Sequence, residues 1–289
     1  MTLHFPSPAV MGILNVTPDS FCESGRVTSP DQALFQAAQM IADGATMIDV
    51  GGEPTNPSVH PVVSLQTELD RTIPVIEALT QRFSTPISID TSKPEVMREA
   101  ITHGVSLIND VRALRYPGAL EVVAKANIPV CLMHMLYPDG ASIEIPKPCD
   151  NNQTLATLPD ILNFFTQRIE ACVSAGIHPE NLILDPGIGG GNFGKTVWQN
   201  LHLLANLSAL KQFNLPLLVG VSRKQFIGEL LNAPIEQRLY GSLAAATVAM
   251  MNGANIIRTH DVKATVDAAK MVTAISNIHL IKAKQEISI

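Results

Sequence analysis

The residues most able to do chemistry stand where apolar runs stop. Ser222, Arg223 and Lys224 follow PLLVGV, and two cations beside a hydroxyl suit an anionic or carbonyl-bearing ligand. The other runs end in the same manner: Asn15 with Asp19, Asp49 with Glu53, Asp90, Asn109 with Asp110, His134, Asp185, and Arg258 with His260. An isolated Asp at a strand end is ordinarily a helix cap. At the third run, however, Ser92 and Glu95 have capping-box spacing, which leaves Asp90 without that task, and at the eighth Asp261 is placed to cap the helix that follows. Arg258 and His260, two apart, project to one face of an extended run. Asp49, Asp90, Asn109 and Asp185 with Lys224 suit a flat heterocycle bearing several N–H donors and a carbonyl, a pterin or purine-like ring. Arg258 and His260, together with Asn15 as an oxygen ligand for a divalent cation, suit a phosphate or diphosphate tail.

Eight short apolar runs must position these groups: VMGILNV from Val10, TMIDV from Thr46, PISID from Pro86, SLIND from Ser106, PVCLMH from Pro129, LILD from Leu182, PLLVGVS from Pro216 and IIRTH from Ile256. Most lack polar alternation, as strands buried on both faces do. Between them lie amphipathic helical patterns, including one from Gln32 that Gly44 should stop, with Ser29 and Gln32 at capping-box spacing, and one from Leu65 that Pro74 should bend. About eight strands alternating with about eight helices predict an α/β fold: a single TIM (β/α)8 barrel with extended βα loops, one domain over residues 1–289. The Pro-, Asp- and Asn-rich stretch at about 137–155 reads as a long surface loop after the fifth strand. In such a barrel the carboxyl ends of the strands converge, so the polar run-ends above share one site.

Composition narrows the partners. The 289 residues carry 20 basic and 26 acidic side chains, a formal charge of -6, which argues against an extended nucleic-acid surface. Cys22, Cys131, Cys149 and Cys172 are scattered, without a Cys-x-x-Cys pair, and read as reduced thiols. Met1 to Pro8 lacks a signal-peptide pattern, and no apolar run reaches membrane-spanning length. The expectation is a cytoplasmic protein that works away from membranes.

The segments MGILNVTPDSF, IDVGGEPT, ISIDTSKPEV, LIND, CLMHM, LDPGIG, VGVSRK and RTHDV, one per strand from Met11 to Val262, resemble the motifs of the dihydropteroate synthase family. NVTPDSF and SRK are specific among them; a strand ending in Asp is not. Members of that family are TIM barrels, commonly homodimeric, that join hydroxymethyl-dihydropterin diphosphate to para-aminobenzoate with release of diphosphate in folate synthesis, and they are sulfonamide targets. The resemblance implies that Asp90, Asn109, Asp185 and Lys224 hold the pterin ring, with Asp49, Met133 and Gly220 also at the substrate. It implies that Asn15, Arg258 and His260 bind diphosphate, with Mg2+ at Asn15, and that Ser222, Thr55, Pro57 and Phe193 meet para-aminobenzoate. It assigns the catalytic work to Asn15, Asp90, Lys224 and Arg258: diphosphate leaves first, and negative charge that includes Asp90 stabilises the cationic methylene.

Two segments depart from the family pattern. GGEPTNPS stands where GGESTRPG is usual, so Asn56 replaces an arginine and Ser58 a glycine, and DPGIGGGNFGK is longer than the usual DPGIGFGK. The longer loop also satisfies a nucleotide-binding P-loop pattern over Gly189 to Thr196, but that reading leaves SRK, RTHDV and NVTPDSF without a purpose and has Pro186 interrupting the passage from strand to loop. Corrinoid-linked methyltetrahydrofolate methyltransferases use a similar barrel without needing the SRK and RTHDV anion set. A catalytically silent pterin-binding paralogue is the remaining alternative, with Asn56 as its motivation.

Overall fold

Prolines 86, 129 and 216 each stand just before a strand, where a missing N–H costs the ladder nothing. The computed structural model describes residues 7–16, 29–53, 63–135, 157–190 and 193–278. The readings placed on Asp19, Thr55, Asn56, Pro57, Ser58 and the 137–155 stretch lie outside the described residues. All eight apolar runs are strands, and in order the elements are β1 (Ala9–Asn15), α1 (Pro30–Ala42), β2 (Met47–Gly51), α2 (Leu65–Arg82), β3 (Ile87–Asp90), α3 (Pro94–Thr102), β4 (Leu107–Asp110), α4 (Ala119–Ala126) and β5 (Val130–Met133). They continue with α5 (Leu158–Ser174), β6 (Leu182–Asp185), α6 (Val197–Ala205), β7 (Leu218–Gly220), α7 (Gln225–Leu231), α8 (Leu239–Met251), β8 (Ile256–Thr259) and α9 (Val262–Ser276).

The strands pair in parallel in the order β6-β5-β4-β3-β2-β1-β8-β7. A parallel bridge between Leu184 and Leu217 brings the two outer strands together, and the Leu184 amide donates to the Pro216 carbonyl at 2.9 Å. The sheet is thus rolled into a TIM barrel with its helices outside. Met11, Leu107, Cys131, Ile183, Leu218 and Ile256 form a separate buried cluster, with Ala9 and Met47 packed against it. That cluster is the apolar plug of the barrel interior.

Strand side chains alternate, so the residue two further along each strand also faces inward. After Met47, Leu107, Cys131, Ile183, Leu218 and Ile256 those residues are Asp49, Asn109, Met133, Asp185, Gly220 and Arg258. Register adds the remaining strands: Ile13 is opposite Asp49 and Asn15 opposite Gly51, while Gly51 is opposite Asp90 and Asp90 opposite Asn109. One period-two rule therefore sets a polar layer directly on the apolar plug.

Helix boundaries follow local chemistry, with two corrections. Ser29 caps α1, its hydroxyl accepting from the Gln32 amide at 3.3 Å, and α1 stops two residues before Gly44. Pro74 lies within α2, which runs from Leu65 to Arg82. Ser92 does not cap α3: the N-cap position is Lys93, and the Ser92 hydroxyl donates to Asp110 instead. Asp261 stands at the N-cap of α9 without a side-chain cap bond, because Arg223 takes its carboxylate at 2.9 and 2.6 Å. In both places a charged or hydroxyl partner from a neighbouring loop outweighs an orphan helix N–H. No described helix is long and apolar enough to cross a membrane.

Candidate active site at the barrel mouth

Arg258 joins three strands. Its Nε donates to Asp49 Oδ2 at 2.6 Å and its Nη2 to Asp90 Oδ2 at 2.8 Å, and the Asn109 amide donates to the same Asp49 oxygen at 3.0 Å. Burial works against the guanidinium charge, but Asp49 and Asp90 outweigh it and hold the proton more firmly than usual. Burial raises the Asp90 carboxyl, with Arg258 the largest influence opposing it. Asp49 is fully buried, and its Oδ1 has no hydrogen-bond partner among the described residues. The cation expected for the anion tail is thus built into the floor of the ring pocket, where it neutralises two carboxylates that would otherwise repel each other.

Asp185 and Lys224 form the opposite wall. The Gly187 amide donates to Asp185 Oδ1 at 2.7 Å. Burial raises the Asp185 carboxyl against the pull of Lys224. Lys224 donates to the Ile188 carbonyl, and its ammonium lies 4.2 Å from the centre of the Phe193 ring, a cation-π contact. Burial brings Lys224 down to about 8, so its charge is lost only in mildly alkaline solution.

The Ser222-Arg223-Lys224 trio divides its work. Lys224 faces the pocket, whereas Arg223, in a left-handed conformation at φ 55°, reaches back to Asp261 and fixes the turn. Ser222 accepts from the His260 amide at 3.1 Å and lies 3.0 Å from His260 Nδ1. Burial, reinforced by Arg258, lowers His260 to about 4, so the ring is neutral at pH 7.

Asn15 closes β1 beside this layer. A Cβ built on Gly51 would meet Asn15 Oδ1 at 3.6 Å and Asp90 Oδ2 at 3.9 Å, so an amide oxygen and a carboxylate oxygen face one small space. That donor set fits a hard divalent cation that keeps several waters and takes the rest of its ligands from a substrate. Among the described residues no group of three or more His, Cys, Asp or Glu side chains is placed to hold a metal alone.

Three run-end residues lie apart from the pocket. Asp110, outward by alternation, accepts from Ser92 and from the Arg112 and Leu114 amides at 2.8 and 2.7 Å, and so organises the turn after β4. Glu53 accepts from Lys93 at 2.5 Å, and Lys93 reaches Glu68 of α2 at the same distance. His134 packs edge-on against Phe164 at 4.9 Å and meets Lys195. The P-loop alternative fails at this lysine: it is buried and donates to His134, Gly187 and Phe193, rather than standing at an open phosphate cradle. The reading from sequence passed over Lys93, Glu68 and Asn200. Glu68 had a signal, since it occupies the buried stripe of α2 with Thr72, Val75, Ile76 and Leu79, and a carboxylate there needs a cation.

This geometry has close counterparts. The pterin binding enzyme family matches residues 11–260. A dihydropteroate synthase of Escherichia coli (strain K12) is 50% identical over 273 residues, covering 94% of this chain and 93% of that protein, and one of Bacillus subtilis (strain 168) is 42% identical, covering 93% and 88%. A crystal structure of the Yersinia pestis dihydropteroate synthase in a sulfonamide drug complex superimposes with a TM-score of 0.87 at 50% identity, covering 96% of this chain and 97% of that one. A Coxiella burnetii dihydropteroate synthase in complex with pteroic acid gives 0.85 at 44% identity, covering 96% of each chain. The chain belongs to the pterin binding enzymes. Among them it falls with the dihydropteroate synthases, transferases of a pterin-methyl group.

Proposed function

We propose that the polar layer on the barrel plug divides the condensation of hydroxymethyl-dihydropterin diphosphate with para-aminobenzoate as follows. Asp90, Asn109 and Asp185 hold the N–H edge of the pterin ring, Lys224 donates to its carbonyl, and Met133 and Gly220 line the ring slot beside Asp49. Removal from bulk water strengthens each of these hydrogen bonds. Arg258 and neutral His260 meet the diphosphate. Asn15 would hold Mg2+, which when bound neutralises diphosphate charge.

The bond between the pterin methylene carbon and the diphosphate oxygen breaks with its electron pair going to diphosphate. The Asp90 carboxylate, fixed by Arg258, offsets the positive charge left on the methylene. The amine of para-aminobenzoate then forms the carbon–nitrogen bond and gives up a proton. Ser222 and Phe193, with Thr55 and Pro57, take that second substrate; the pteroic acid and 4-aminobenzoic acid complexes of the Coxiella burnetii and Xanthomonas albilineans enzymes support this choice of small molecules. The observation carrying the proposal is the arrival of Asp49, Asp90, Asn109, Asp185 and Arg258, from five strands, in one interior layer against Lys224.

The same reading takes the enzyme to be a cytoplasmic homodimer. Free, buried thiols at Cys131 and Cys172 accord with a reducing compartment. Tyr240, Val248 and Met251 of α8 and Leu230 and Leu231 of α7 are exposed apolar side chains on adjoining helices, a surface suited to a second copy. Turnover is the test of function. Purified protein given pterin diphosphate, para-aminobenzoate and Mg2+ should release diphosphate and form dihydropteroate; tight pterin binding without product would indicate a silent paralogue.

A further inference from the structure

Nothing in the roles above uses Lys195, yet the structure spends a buried ammonium there. The residue is 4% exposed, and no carboxylate of the described residues stands within ion-pair distance of it. Its three N–H protons instead meet three neutral acceptors: His134 Nδ1 at 3.1 Å, the Gly187 carbonyl at 2.8 Å and the Phe193 carbonyl at 3.2 Å. Burial, opposed by Asp185, lowers Lys195 to about 7, and below that value the three donors of its ammonium are saturated by this set. Burial, with Lys195 and Arg115 adding to it, draws His134 down to about 2, which keeps the imidazole neutral and leaves a ring nitrogen able to accept from Lys195.

The three acceptors come from different parts of the chain. His134 follows β5, Gly187 lies on the outgoing limb of the β6–α6 loop, and Phe193 on its returning limb. Asn200 of α6 braces the same loop from behind, accepting from the Gly189 amide at 2.7 Å and donating to the Thr196 carbonyl at 2.9 Å. Two glycines make the approach possible. Gly187 is at φ +66°, and a Cβ there would lie 1.9 Å from the His134 carbonyl oxygen; Gly189 is at φ +150°, and its Cβ would lie 2.7 Å from Phe193 Cδ2 and 3.4 Å from Lys224 Nζ. The Phe193 ring therefore rests on bare backbone at Gly189, against the Lys224 ammonium.

We propose that Lys195 is a positioning residue of the synthase reaction: by holding the Phe193 carbonyl to Gly187 and His134, it keeps the Phe193 ring seated between Gly189 and Lys224, beside the pterin slot where the aromatic second substrate must lie. The proposal rests on the reading that Phe193 faces para-aminobenzoate, and adds the group that holds it there. Its consequence is selective. Asp90, Asn109 and Asp185 are mounted on strands, and of their contacts only the Gly187 amide on Asp185 belongs to the loop, so loss of Lys195 falls chiefly on the amine substrate.

A double-mutant cycle of Lys195→Met and Phe193→Ala, with steady-state kinetics for both substrates and thermal melts, tests this. Lys195→Met should raise KM for para-aminobenzoate about tenfold and leave KM for the pterin diphosphate within about twofold. In the Phe193→Ala background the same change should alter KM for para-aminobenzoate less than about twofold, because the ring it places is gone. Equal factors in both backgrounds would overturn the proposal, as would an equal rise in the pterin KM. If Phe193→Ala alone leaves the para-aminobenzoate KM unchanged, the reading of Phe193 fails, and the proposal with it. Should Lys195→Met not fold, His134→Leu, which removes one acceptor of the same ammonium, replaces it in the cycle with the same criteria.

Discussion

Asp90 and Asp110 both end four-residue strands and both are buried, yet Asp90 meets Arg258 while Asp110 takes Ser92 and two backbone amides. Alternation separates them: Asn109 faces inward, so Asp110 faces out. Residue type alone could not decide this, although counting parity from the apolar plug would have. The same count shows why Arg258 is more than an anion ligand, since an inward arginine must neutralise the inward carboxylates beside it. Lys224 carries a direct prediction. Burial lowers its folded value to about 8, so the charged form proposed to donate to the pterin carbonyl is present below that pH and lost above it. With para-aminobenzoate saturating, kcat/KM for the pterin diphosphate should therefore fall as pH rises through about 8, a profile that reports the free enzyme. Lys224→Arg, which stays charged, should move that limb to higher pH; an unmoved limb would assign the titration to another group.

All eight strands were legible as elements because each is a short, dominantly apolar run, and the polar residue near the end of each run marks the mouth. The contacts between elements were not legible, since they join residues distant in sequence through single charges. Glu68 of α2, Lys93 before α3 and Glu53 after β2 show this, with one ammonium 2.5 Å from two carboxylates. Burial raises Glu68 against the pull of Lys93; burial alone would lower Lys93, but Glu68 and Glu53 hold it above its ordinary value. Lys93→Met should then cost about 3 to 5 kcal/mol at neutral pH, because it strands buried charge. The folded-state value of Glu68 is already raised and would rise further without Lys93, so acid neutralises the stranded carboxylate. The loss should accordingly shrink as pH falls from 7.5 to 5. Urea unfolding at the two pH values checks this, and an equal loss at both would mean that Glu68 is not the charge left behind.

At the scale of the molecule, the barrel separates stability from chemistry: the plug fills the interior, the layer above it binds, and the outer helices remain available for association. The apolar face of α7 and α8 gives a test of the last point. Tyr240 is 81% exposed, so Tyr240→Glu should leave the fold intact while moving the protein toward monomer in sedimentation velocity. An unchanged sedimentation coefficient would place any interface elsewhere. Assembly was less legible than the fold because the sequence of α8 is apolar all round, which marks a helix as covered without showing what covers each side. The central claim is that the inward polar layer holds the pterin ring, and calorimetry with a phosphate-free pterin tests it most directly. Asp185 faces that ring from β6, its Oδ1 held by the Gly187 amide, and stands two strands from Arg258 on β8 around the closed barrel. Asp185→Ala should weaken the ligand by about 1 to 3 kcal/mol, the cost of leaving ring donors unpaired in a buried slot. Affinity equal to that of the unaltered protein would contradict the account.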